Sequence, residues 1–135
     1  MRRALTLVVI AGCEVADQDP AALLRARGPD AVDCGTADAW RDEPAAAWTR
    51  ACALAARGRG QAFRALASGA VSDGADVTGW LGWPDGSGWR LRYSATYAMV
   101  PGLDTECVRW TPCARIVAGP PDCATLDDDL CLTCE

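Results

Sequence analysis

Histidine is absent from this 135-residue chain, and so are lysine and asparagine; all thirteen of its basic residues are arginine. Without histidine there is no Ser-His-Asp or Cys-His catalytic arrangement, no imidazole ligand for a metal and no imidazole proton carrier near neutral pH. Without lysine there is no Schiff base and no Walker-type phosphate lysine. Long hydrophobic runs are missing too. Ala4 to Ile10 is the longest near-continuous apolar stretch, far short of the roughly 20 residues that span a bilayer as a helix. The absent residue types have AT-rich or mixed codons, while Ala, Gly, Pro, Asp and Arg abound, so a GC-rich genome accounts for the bias. Positive charge is also in deficit. The formal charge is −5, which argues against nucleic acid or anionic lipid headgroups as partners, because both require concentrated basic residues.

What the chain does have is cysteine. Eight in 135 residues indicate an oxidising compartment and a disulfide framework, whose connectivity spacing alone leaves open. The N-terminus agrees. Met1-Arg2-Arg3, the apolar run to Ile10, and small residues before a cysteine have the order of an export signal. Ile10-Ala11-Gly12-Cys13 resembles a bacterial lipobox, in which the cysteine is acylated on sulfur and the bond before it is cut. That resemblance implies lipidation at Cys13, a membrane partner reached through the lipid, and a place at the outer membrane or cell surface; a periplasmic or secreted protein is the alternative. Cleavage would leave eleven arginines against eighteen carboxylates. It would also leave an odd number of cysteines: Cys34, Cys52, Cys107, Cys113, Cys123, Cys131 and Cys134. Either one of them is free or bonded to another chain, or Cys13 is a disulfide partner and carries no lipid.

The length suits one domain with a modest core. We expect a signal at 1–12, a lipidated N-terminus and tether at 13–39, and a single α+β domain at 40–135. Within the tether, Ala21 to Arg27 can form two helical turns between Asp19-Pro20 and Gly28-Pro29, and residues 30–36 read as loop. The main helix begins at Asp42-Glu43-Pro44, with acids and proline in its first turn, and runs through an alanine-rich body to Arg57. Trp48, Cys52 and Ala55 recur at helical spacing and are expected to face the core. Cys34 is the natural partner of Cys52.

Beyond Gly60 the period changes. Gln61 to Ala67 reads as a first strand and Ser68 to Ala75 as a turn. Asp76–Trp83 and Trp89–Tyr97 alternate around the turn Pro84-Asp85-Gly86-Ser87-Gly88 and predict a hairpin. Trp89, Leu91, Tyr93 and Ala95 share one face of it; Arg90, Arg92 and Ser94 share the other. Thr105 to Val117 is a further strand, interrupted or forced to an edge at Pro112, and the tail is a short strand or irregular segment held by disulfides. The expected fold is therefore one main helix packed on a three- or four-stranded antiparallel sheet, stapled by disulfides.

Several residues invite a chemical reading. Cys131-x-x-Cys134 has the spacing of a thiol-disulfide motif, but three aspartates precede it and no helix follows to lower a thiol pKa. A structural role fits better. The tail cysteines lack the close pairs of zinc sites, and Asp127-Asp128-Asp129 lacks the alternating ligands of a calcium loop. We therefore assign no metal, cofactor or catalytic residue. Glu43, Asp76, Asp104 and Glu106 show no spacing that marks a catalytic pair. Six tryptophans dominate the aromatic content. Trp80 and Trp110, read as lying opposite Trp83 and Trp89, form a candidate platform for a glycan or protein, although core packing is the commoner use of tryptophan.

Asp33-Cys34-Gly35, residues 47–54 (AWTRACAL), Gln61-Ala62-Phe63-Arg64 and Pro84-Asp85-Gly86 resemble segments of small uncharacterised cysteine-containing lipoproteins of GC-rich, myxobacteria-like genomes. That resemblance implies no activity and no functional residues. The reading that follows is a noncatalytic extracytoplasmic lipoprotein with a structural or binding role. The alternatives are a small carboxylate-dependent hydrolase or glycan-binding protein, and a thiol-disulfide protein using Cys131 and Cys134.

Overall fold

The computed structural model describes residues 19–38, 43–71, 74–96, 105–120, 123 and 130–135. The segment 1–12, Cys13, Trp40, Asp104 and the run Asp127-Asp128-Asp129 lie outside them, so the signal and lipidation readings do too. The elements run α1 (Pro20–Arg27), β1 (Val32–Asp38), α2 (Glu43–Gly58), β2 (Phe63–Val71), β3 (Gly74–Gly82), β4 (Gly88–Thr96), β5 (Thr105–Cys113), β6 (Ile116–Ala118) and β7 (Leu132–Cys134). The first five strands form one sheet in chain order, and β6 pairs with β7 in a second, smaller sheet.

The fold is α+β, but the sheet is five-stranded and mixed, and two helices pack on it. β1 runs parallel to β2, which requires a crossover, and α2 supplies it. β2 through β5 are antiparallel neighbours. Residues 19–38 therefore belong to the domain and do not form a tether. Asp19 caps α1 by accepting a bond from the Ala22 amide at 2.9 Å, Pro20 occupies the first turn, and Gly28 closes the helix with a bond to the Leu24 carbonyl. β1 escaped the sequence reading because its alternation is broken. The register slips between Asp33 and Thr36, Gly35 turns through φ +79°, and its amide donates to Asp33 Oδ1 at 2.8 Å. That bulge points both Cys34 and Ala37, three residues apart, into the core.

Each face of the sheet has its own apolar layer. On one side α2 covers β1 and β2, and Cys34, Ala53, Ala56, Phe63, Ala65 and Trp80 pack together. The same layer continues through Cys113, Ile116, Leu130 and Leu132 under the β6–β7 pair. On the other side Leu24 of α1 packs with Leu66, Leu81, Leu91 and Val108. Gly79 makes that approach possible, because a Cβ there would stand 3.0 Å from Leu24 Cδ1 and 3.2 Å from Leu91 Cβ.

The core face of α2 is Ala46, Thr49, Ala53 and Ala56, and the expected stripe of Trp48, Cys52 and Ala55 is displaced from it. Trp48 is 64% exposed. The reason is volume: Trp80 from β3 and Phe63 from β2 already fill the layer, so the helix must bring small side chains. Cys52 flanks that face and bonds to Cys34, the expected pairing. The β2–β3 connection is also tighter than expected, since β2 continues to Val71 and β3 starts at Gly74. The β3–β4 hairpin and its turn stand as read. β5 is an edge strand, as Pro112 demands, and it ends at Cys113 before β6.

Candidate functional site

Three places combine chemistry with geometry. The first is aromatic. On β4 and β5 the register sets Trp89 opposite Pro112 and Leu91 opposite Trp110, so Trp89 and Trp110 are diagonal neighbours on one face. Their rings stand at 89° with centroids 6.4 Å apart. Arg27, from the last turn of α1, lays its guanidinium 4.6 Å from the Trp89 centroid and 3.9 Å from that of Trp110, within cation–π range of both. The platform expected from Trp80 and Trp110 is not formed. Trp80 is wholly buried on the α2 side, whereas Trp110 shares the α1 side with Trp83 and Trp89. The side on which Trp110 lies is fixed by the β4–β5 register, which the alternation of β5 alone does not encode.

The second place is a recess of about 170 Å³ between α1 and the β1 bulge, lined by Leu24, Arg25, Asp33, Gly35, Thr36 and Arg64 among others. It is small beside the roughly 300–1,000 Å³ of ligand pockets. Of the two arginines that line it, Arg64 is already engaged. Arg64 Nη1 donates to the carbonyls of Gly28 at 2.9 Å, Ala31 at 3.2 Å and Pro29 at 3.3 Å, and Nη2 reaches Asp33 Oδ2 at 3.3 Å. Arg64 thus clamps the end of α1 to the sheet. Nothing in the sequence marked it, because its partners lie more than thirty residues earlier.

The third place is the α2 side of β4 and β5, which carries Arg90, Arg92 and Arg109. Arg92 lies directly opposite Arg109, and Arg90 opposite Thr111. The shared face of Arg90 and Arg92 was legible in the sequence; its relation to α2 was not. The Nε atoms of Arg50, Arg57 and Arg90 are shielded from solvent and have no hydrogen-bond partner.

The other candidate groups are accounted for structurally. Cys113 bonds to Cys134, and Cys123 to Cys131, so the Cys131-x-x-Cys134 pair is not bonded to itself. Cys107 is disulfide-bonded as well. No free cysteine occurs among the described residues, nor does any group of three acids or cysteines placed to hold a metal. Asp76 accepts a bond from Ser94 Oγ at 2.8 Å. Asp85, in the hairpin turn, accepts from Ser87 Oγ at 2.6 Å and from the Ser87 amide at 2.9 Å. Those two bonds, the hydroxyl's first, hold its carboxyl below the usual aspartate range. No helix among the described residues is long and apolar enough to cross a membrane. Comparison with protein-family models, curated proteins and solved structures gives no match.

Proposed function

We propose that this chain is an exported, noncatalytic binding module of a bacterial envelope, carried out of the cytoplasm by the 1–12 signal and held at a membrane by acyl chains on Cys13. The observation that supports export is the bonding of the cysteines: Cys34 with Cys52, Cys113 with Cys134 and Cys123 with Cys131. Such density persists where thiols are not kept reduced. Cys131 and Cys134, each bonded elsewhere, serve as staples in this reading, and the protein's role is to present a fixed surface.

The anchor carries a corollary. These six cysteines pair among themselves, so acylation of Cys13 would oblige Cys107 to bond outside the chain. Intact mass of the protein from its native host, before and after reduction, tests this. The expected result is loss of residues 1–12, an acyl increment on Cys13 and a disulfide-linked larger species that collapses on reduction. An unacylated monomer with four internal bridges would overturn the anchor and leave export standing. Retention in the reducing cytoplasm would overturn both.

A further inference from the structure

The three described bridges differ in what holds their cysteines. Cys34 stands in β1 and Cys52 in α2, Cys113 in β5 and Cys134 in β7, so each of those bridges joins two hydrogen-bonded elements. Each also has one cysteine sealed in the core, Cys34 at 0% exposure and Cys113 at 3%. Cys123–Cys131 has neither protection. Both of its cysteines lie outside the helices and strands, and both are only half-buried. Exchange with an outside thiol needs access to a bridge sulfur, and this bridge grants it at either end.

The backbone at the same place is strained. Leu130 and Cys131 have φ of 54° and 51°, a left-handed conformation that residues other than Gly, Asn and Asp adopt at a cost. Among the described residues they are the two non-glycines with positive φ, and they are consecutive. Besides the bridge, two ties keep them there. Leu130 is buried with Ile116 and Leu132, and the Gly119 amide donates to the Cys131 carbonyl at 2.6 Å. Strain of this kind persists only where surrounding contacts over-determine it, and it gathers at sites that switch. Opening the bridge removes one of the three restraints on Cys131 and lets its backbone relax, which favours the reduced form.

We propose that Cys123–Cys131 is a thiol–disulfide exchange site whose reaction partner is a protein-borne dithiol. One thiolate of the dithiol attacks a bridge sulfur, the S–S bond breaks, and the other cysteine leaves as a thiolate. The second thiol of the partner then attacks the mixed disulfide, so the partner departs as a disulfide, oxidised by two electrons. Its two protons pass to Cys123 and Cys131, which remain as thiols. The product does not reshuffle within the CxxC motif. Because β7 is extended, the Cα atoms of Cys131 and Cys134 stand about 10 Å apart, beyond the roughly 7 Å that a disulfide can span. The exchanging pair is therefore Cys123 with Cys131, and Cys113–Cys134 keeps β7 in place while it reacts. This inference goes beyond the fixed-surface reading and does not depend on the lipid at Cys13.

Equilibration of the oxidised full chain in graded ratios of reduced to oxidised dithiothreitol tests it, with acid quenching, alkylation and peptide mass mapping to read each bridge separately. Cys123–Cys131 should be half reduced at a ratio roughly tenfold or more below that needed for Cys34–Cys52 or Cys113–Cys134, the scale set by release of one left-handed residue. At that ratio the far-ultraviolet circular dichroism should match that of the oxidised chain, because the other two bridges and the sheet stay intact. Half-reduction of all three bridges together, earlier opening of either of the others, or a product with Cys131 bonded to Cys134 would overturn the proposal.

Discussion

Arg64 holds two layers of the molecule together through carbonyls, with a carboxylate in a lesser role. Its side chain is 14% exposed while that of Asp33 is 59% exposed, so the ion pair is screened and the bonds to Gly28, Pro29 and Ala31 matter more. Arg64→Met should cost about 2 kcal/mol in urea unfolding, the range for charge-assisted bonds in a half-buried site. Asp33→Asn, which keeps an acceptor for the Gly35 amide, should cost no more than about 0.5 kcal/mol. Equal losses would mean that the ion pair dominates. Asp85 offers a second test at this scale, through pH. Its folded pKa is depressed, so its contribution is present above the unfolded aspartate value and is lost as pH falls through the lower folded one. In Ser87→Ala the Asp85 carboxyl should titrate at higher pH, as followed by its side-chain carbon resonance.

The alanine-rich helix shows why sequence reading succeeds for an element and fails for its rotation. Composition, Pro44 and the following glycines located α2 to within two residues. The face it buries differs from the stripe of large apolar residues because the sheet, through Trp80 and Phe63, supplies the bulk and the helix supplies alanines. Trp80→Ala should accordingly destabilise by about 3–5 kcal/mol, while Trp48→Ala, on the exposed side, should stay within about 0.5 kcal/mol. Thermal unfolding of the two variants separates the assignments, and a larger effect at Trp48 would restore the first one. The bridge beside that helix was legible because Cys34, eighteen residues earlier, is the nearest cysteine before Cys52. Replacing both by alanine should cost about 3 kcal/mol by loop-closure entropy, measurable as a lowered denaturation midpoint. β1 itself was missed because the bulge at Gly35 removes the period-two signal on which strand recognition depends.

At the scale of the molecule, two of the described disulfides lie close together at one end of the chain. Cys113–Cys134 and Cys123–Cys131 both secure the C-terminal segment, whereas the five-stranded sheet is held by the unbroken β2–β5 ladders and an apolar layer on each side. Partial reduction should therefore release β6 and β7 before the sheet opens. Hydrogen exchange in graded reductant should show amide protection at Ile116–Ala118 and Leu132–Cys134 lost first, with Leu66, Leu81 and Leu91 protected longest. Simultaneous loss would mean that the two sheets unfold as one unit. The α+β class and the β3–β4 hairpin follow from periodicity and turn chemistry. The parallel strand, the second helix's role and the arginine face come from contacts between distant residues, which no local pattern encodes.

The slip in β1 between Asp33 and Thr36 has a further effect. β1 and β5 are the two open margins of the sheet, and each is interrupted: β1 by its bulge, β5 by Pro112, which has no amide to donate. An uninterrupted margin would be a template for strands of other molecules. The bulge that turns Cys34 toward Cys52 thus also guards the sheet against growing beyond its own chain.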